Sequence, residues 1–135
     1  MVGHDEICKV GDFGLLQELP KDADVYVASS ELSFPIRWMA PESLSKREFS
    51  PATDVWSFGV VMWEMFNPTE IPYADMNNIE VAVNVSQGMR LAIPEPYPPT
   101  VVRIMKACWQ EIPSKRPSFM LIALLLTNAH FGATL

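Results

Sequence analysis

A chain of 135 residues is long enough for one domain with a sizeable core, and 49% hydrophobic against 19% charged residues is apolar for a globule of this size. The net charge is −6 and the basic residues are scattered, with only Lys46-Arg47 and Lys115-Arg116 adjacent; a nucleic-acid surface needs clustered cations and is not expected. Cys8 and Cys108 match no metal spacing and no disulfide framework, which suits a reducing cytosol, and both read as small core residues. The longest apolar-rich run, residues 55–66, contains Glu64 and is too short to cross a bilayer, so no membrane segment is expected; nor does the N-terminal stretch resemble a signal peptide.

Ile7-Cys8-Lys9-Val10 alternates apolar and polar and predicts a short strand running into Gly11-Asp12-Phe13-Gly14. Residues 15–34 follow no period and mix acids, serines and one tyrosine, which predicts a long functional or mobile loop. Ser50-Pro51 opens a helix over about residues 52–66, with Ser50 as cap and Pro51 where a missing N–H costs nothing. That helix is apolar on every face and should be buried all round, so Asp54, Ser57 and Glu64 must find partners inside. Asn77 and Glu80 have capping-box spacing for a helix that reaches Gln87 and stops at Gly88. Pro94, Pro96, Pro98 and Pro99 forbid regular structure. Thr100 then caps a third helix with Val101, Ile104, Met105, Cys108 and Trp109 on one stripe, ended by Pro113. Ser118 starts a last apolar helix from Phe119 to Leu126. One strand and four helices with mostly local contacts make a helical lobe.

Several short motifs occur in a fixed order. Asp12-Phe13-Gly14 precedes Pro35-Ile36-Arg37-Trp38-Met39, and Ala40-Pro41-Glu42 follows directly. Asp54-Val55-Trp56-Ser57-Phe58-Gly59, Cys108-Trp109 and Arg116-Pro117-Ser118-Phe119 come after. Together they resemble the C-terminal lobe of protein-tyrosine kinases over nearly the whole chain, and residues 38–44 lean toward the receptor type. The resemblance implies a mainly α fold, the helical lobe of an α+β kinase domain truncated before its catalytic loop. Residues 1–135 would be a partial kinase domain, with an activation segment at 12–42 and a helical subdomain at 50–128. It further implies transfer of the ATP γ-phosphate to protein tyrosine with Mg²⁺, in a cytoplasmic setting or on the cytosolic side of a membrane-anchored parent.

By the same resemblance Asp12 ligates Mg²⁺, Phe13 packs inward to fix the direction of Asp12, and Gly14 gives the backbone freedom for that flip. Tyr26, among Asp22, Asp24 and Glu31, is the activation-segment phosphosite. Pro35, Ile36, Arg37 and Trp38 form a shelf for a substrate tyrosine ring. Glu42, at the end of the segment, pairs with Arg116 in a buried salt bridge. Asp54 accepts hydrogen bonds from the catalytic loop, and Trp56 and Trp109 are structural.

The chain departs from the family in what it lacks. It contains no glycine-rich loop, phosphate lysine or His-Arg-Asp loop, and so no catalytic base; Leu16-Gln17 stands where tyrosine kinases commonly carry Ala-Arg. The resemblance therefore implies partners in a missing N-terminal lobe and a tyrosine-bearing protein substrate, with little ATP binding by these residues alone. Without that lobe, the Trp56–Trp63 region should face water and make the chain sticky. Two functions are open: part of a protein-tyrosine kinase, or a non-catalytic lobe serving as a protein-binding or decoy module.

Overall fold

The longest helix organises the molecule. In the computed structural model, which describes residues 8–19, 21–29, 33–93 and 95–132 (side chains through 129), α2 runs Pro51–Phe66. Before it come a 3-10 turn Phe13–Leu15, strand β1 (Tyr26–Val27), a 3-10 turn Ile36–Trp38, helix α1 (Pro41–Lys46) and strand β2 (Glu48–Phe49). After it come α3 (Asn78–Ser86), α4 (Pro99–Cys108), a 3-10 turn Pro113–Lys115 and α5 (Phe119–Gly132). The mainly helical lobe is as expected.

Local chemistry explains most boundaries. At the start of α2 the Ser50 N–H donates to Thr53 Oγ1 at 3.0 Å, and Pro51 occupies the first helical position. Asn77 Oδ1 accepts from the N–H groups of Ile79 and Glu80 at 2.9 and 3.0 Å, while the Asn77 N–H donates to Glu80 Oε2 at 2.8 Å. That is the reciprocal capping box expected for α3. Its other end closes with Gly88 at φ 100°, where the Met89 and Gly88 N–H groups donate to the carbonyls of Asn84 and Val85.

Several expectations need correction. Of the strand placed at Ile7–Val10, Ile7 lies outside the described residues; Cys8 makes an isolated bridge and Lys9-Val10 are irregular. Cys8 is exposed and no core residue, because no described element covers it. The loop over 15–34 contains β1, which pairs antiparallel with β2 in the register Tyr26↔Phe49 and Val27↔Glu48. Helix α1 is not foreseen, although Pro41 at its first position is a start signal. Thr100 does not cap α4; Pro99 is the first helical residue, since two prolines in succession need only suit the turn that lacks donors anyway. Pro94 lies outside the described residues. α5 runs past Leu126 to Gly132.

The core gathers Val55, Trp56, Val60, Met62 and Trp63 from α2, Val81 and Val85 from α3, and Ile104, Met105, Cys108 and Trp109 from α4 and its end. Trp56 and Trp63 are 1% and 5% exposed, which overturns the expectation that this region faces water. The face they occupy is covered by α4 and residues 90–92, with Arg90 over the Trp56 ring and Trp63 Nε1 donating to the Ala92 carbonyl at 2.7 Å. Nor is α2 buried all round: Val61 and Met65 are 42% and 72% exposed on its outer face. Apolar surface is also exposed along α5, where Phe119, Met120, Leu121, Leu124 and Leu125 face outward and Ile122 is buried.

α2 and α4 approach closely at Gly59. A Cβ there would lie 2.7 Å from Trp109 Nε1 and 2.8 Å from Cys108 Cβ, so only glycine fits without displacing the indole. Gly59→Ala is expected to destabilise the fold by about 1–3 kcal/mol through overpacking. Gly88→Ala, where nothing lies within 4 Å but φ is +100°, should cost about 1–2 kcal/mol by backbone strain alone. Urea melts separate the two causes: Gly59→Ala should be partly rescued by Trp109→Phe, whereas Gly88→Ala should not respond to it.

Candidate functional site

The side chain of Arg116 is fully buried and makes the most hydrogen bonds of any side chain among the described residues. Its Nη1 and Nη2 donate to Glu42 Oε1 and Oε2 at 2.5 and 2.9 Å, a two-pronged ion pair between α1 and the approach to α5. Nε donates to the Gln110 carbonyl at 2.8 Å, Nη1 to the Ala52 carbonyl at 3.0 Å and Nη2 to the Glu111 carbonyl at 3.3 Å. All five N–H directions are thereby used. The guanidinium also lies 5.0 Å from the Trp56 ring centroid, and Arg90 lies 4.5 Å from the same ring. Arg90 is not distinguished by the sequence: its partners are backbone carbonyls of Val85, Met89 and Trp109, which leave no side-chain pattern to read.

The stretch Pro35–Trp38 is held from two sides. Arg37 Nη1 donates to the carbonyls of Pro72 and Tyr73 at 2.7 and 2.6 Å, and Nη2 to that of Met76 at 2.6 Å. Arg37 is thus committed to the chain's own backbone. Trp38 Nε1 donates to Glu64 Oε2 at 2.8 Å, and Ser57 Oγ donates to the Trp38 carbonyl at 2.8 Å. Two of the four polar residues of α2, Ser57 and Glu64, find partners in this one turn. Pro35 itself is exposed, and Ile36 is half-buried against the core. Ala40 caps α1 and is buried, and Pro41 begins that helix.

Asp12-Phe13-Gly14 is differently disposed from the expectation. Asp12 is exposed, with φ 63° in the left-handed region, so the backbone freedom assigned to Gly14 is exercised at Asp12. Phe13 is 62% exposed and does not pack inward, because no described element stands over it. Among the described residues no group of three His, Cys, Asp or Glu side chains could hold a metal ion. Mg²⁺ demands a near-octahedral set of oxygens, and one exposed carboxylate does not fit that need by itself.

Asp54 and Tyr26 share a hollow of about 350 Å³ with Gln17, Leu19, Phe49 and Ser50. Tyr26 is half-buried, its ring 6.5 Å from that of Phe49. Glu31, placed beside it by sequence, lies outside the described residues. Asp54 is exposed at this hollow and has no hydrogen-bond partner among the described residues, contrary to the expectation of a partner inside; partial desolvation against the hollow raises its pKa. Burial pushes the Cys108 thiol up to about 11, which keeps it a neutral core group. Trp109 is buried with its Nε1 unpartnered beside Gly59.

Two outcomes follow from these contacts. Breaking the buried pair by Glu42→Gln or Arg116→Gln should cost about 3–5 kcal/mol each, and the double variant should lose much less than the sum in a denaturant-based double-mutant cycle. Additive losses would sink the coupling. For Asp54 the folded pKa lies above the unfolded one, so the folded state holds more protons just above the usual carboxylate range. Because solvent screens the exposed carboxylate, stability should fall only slightly as pH rises through that window, and Asp54→Asn should flatten this fall, as read by melts between pH 3.5 and 7.

Comparison with known proteins accounts for this arrangement. The family model for protein tyrosine and serine/threonine kinase matches residues 1–126. Ephrin type-A receptor 6 of Rattus norvegicus is 41% identical over 88% of this chain, Protein-tyrosine kinase 6 of Homo sapiens 42% over 88%, and Tyrosine-protein kinase Srms of Mus musculus 43% over 99%. The matched regions cover 12%, 26% and 27% of those proteins. No helix among the described residues is long and apolar enough to cross a membrane. With its motifs in order, its helical lobe and these relatives, the chain belongs to the protein tyrosine and serine/threonine kinase family, as a C-lobe part of a protein-tyrosine kinase.

Proposed function

We propose that this chain serves in a cytoplasmic catalytic domain that passes the γ-phosphate of ATP to a tyrosine of a protein substrate. Kinases of this family use ATP and Mg²⁺. The observation that carries the proposal is the locked stretch Pro35–Trp38. Arg37 and Trp38 are held by five hydrogen bonds to loop 72–76 and α2, and the ion pair Glu42–Arg116 anchors the helix that follows. That rigidity suits a shelf against which a substrate ring must be placed, since positioning supplies much of phosphoryl-transfer catalysis. Exposed Pro35 offers the apolar contact; Arg37 acts as the brace beneath it.

The remaining roles need groups that these 135 residues do not contain: a catalytic base, a phosphate lysine and a second metal ligand. A preceding N-terminal lobe would supply them. In that setting Asp12 would contribute one carboxylate to Mg²⁺, and its exposure leaves it accessible to such a site. Tyr26 would be the switch, because a phosphate at the β1–β2 pair changes the charge of the hollow it shares with Asp54. A second reading, a lobe that binds proteins without chemistry, is favoured by the closure of the α2–α4 core within this chain.

One experiment separates the two. The native protein, captured with an antibody to residues 78–87, is weighed and assayed with Mg-ATP and a glutamate–tyrosine copolymer. A product much longer than 135 residues that phosphorylates the copolymer is expected, with Asp12→Asn lowering transfer at least about a hundredfold. A 135-residue product without transfer would establish the binding lobe instead.

A further inference from the structure

A hollow of about 890 Å³ lies away from Asp12, Tyr26 and the Pro35–Trp38 stretch, between residues 90–93 and 95–97 and the outer side of α4. Its floor is apolar: Leu91, Ile93, Val102 and the Trp109 indole line it. Arg103 and Lys106 stand along the α4 side. They are separated by three positions and so share a helical face, roughly 5–6 Å apart at their Cβ atoms.

The charge here runs against that of the chain. From Gly88 to Gln110 three cations, Arg90, Arg103 and Lys106, oppose Glu95 alone, whereas the chain as a whole carries −6. Arg90 is already committed, bonded to three backbone carbonyls and with Glu111 nearby. Among the described residues Arg103 reaches its neighbour Thr100 Oγ1 alone, at 3.3 Å. Lys106 has no hydrogen bond or ion pair among the described residues. Two cations with little compensation therefore overhang an apolar trough.

We propose that this trough is a docking groove for an extended, acidic segment of a partner protein. Alternate residues of an extended chain recur at roughly 6.6 Å, close to the Arg103–Lys106 spacing, so carboxylates at every second position can meet both cations. The intervening side chain then points to the other face, onto Ile93, Val102 and Trp109. Apolar anchors supply affinity, and the charges select an acidic partner and speed encounter. The recessed floor favours a peptide over an anionic membrane, because a flat bilayer would meet the two cations without filling the trough. The proposal does not depend on the kinase reading.

The test is fluorescence anisotropy of the 135-residue chain with a fluorescein-labelled nonapeptide alternating glutamate with leucine and phenylalanine. Saturable binding is expected, with versions carrying lysine for glutamate, or serine for the apolar residues, bound at least about tenfold more weakly. Arg103→Glu with Lys106→Glu should weaken the glutamate peptide about tenfold and abolish the loss of its binding with added salt, while Lys46→Glu with Arg47→Glu at the C-terminal end of α1 leaves binding unchanged. If the reversal disturbs the circular dichroism spectrum, the Arg103→Gln, Lys106→Gln pair gives the same reading. Absence of peptide binding, equal binding by the α4 double variant, or binding to phosphatidylserine vesicles in place of the peptide would each overturn the groove.

Discussion

Everything around the site depends on one buried guanidinium. Arg116 joins the end of the motif-bearing segment at Glu42, the first turn of α2 at Ala52, and the chain leaving α4 at Gln110 and Glu111. Glu42 and Ala52 lie far from Arg116 in sequence, and only a planar, five-donor group can satisfy so many acceptors at once; an ammonium has neither the reach nor the fork. Desolvating the charge is costly, so the tie contributes geometry more than net stability. Its value lies in making α1, α2 and the approach to α5 one rigid unit. Trp56, which meets both Arg116 and Arg90 through its ring, carries that rigidity into the core.

α2 serves as both core and scaffold. Its inner face supplies the two tryptophans, and its polar residues are aimed rather than scattered: Ser57 and Glu64 both engage Trp38. Gly59 sets how near α4 can come. The position of the Pro35–Trp38 stretch is consequently coupled to core packing. A change that moves α2 moves the shelf, without touching any residue on it.

Much of this arrangement is legible in the sequence where the signals are local or are motifs. The capping box at Asn77 and Glu80, the glycine stop at Gly88 and the stripe on α4 each need only a few neighbouring residues, and they appear where expected. The meeting of Glu42 with Arg116 is readable only through family resemblance, since no spacing rule joins positions so far apart. What the sequence does not disclose is equally physical. β1 and β2 are two residues each, too short for alternation to register. The outward attitude of Phe13 depends on what stands over it, which no local pattern encodes. The burial of Trp56 and Trp63 follows from α4 and residues 90–92 closing over them, where uniform apolarity along α2 suggests cover on all sides.

The one-sided seating of α5 has a consequence for how the molecule breathes. Ile122 is its buried anchor, helped by Leu126 and by Phe119 set edge-on to Phe58, while most of its other apolar side chains look outward. α2 is clamped by the core along its length. Local stability in such a lobe is graded, and elements with few buried contacts open at a small fraction of the free energy of global unfolding. The amide protons of α5 should therefore exchange with solvent through detachment of that helix alone, and those of central α2 only when the entire lobe comes apart.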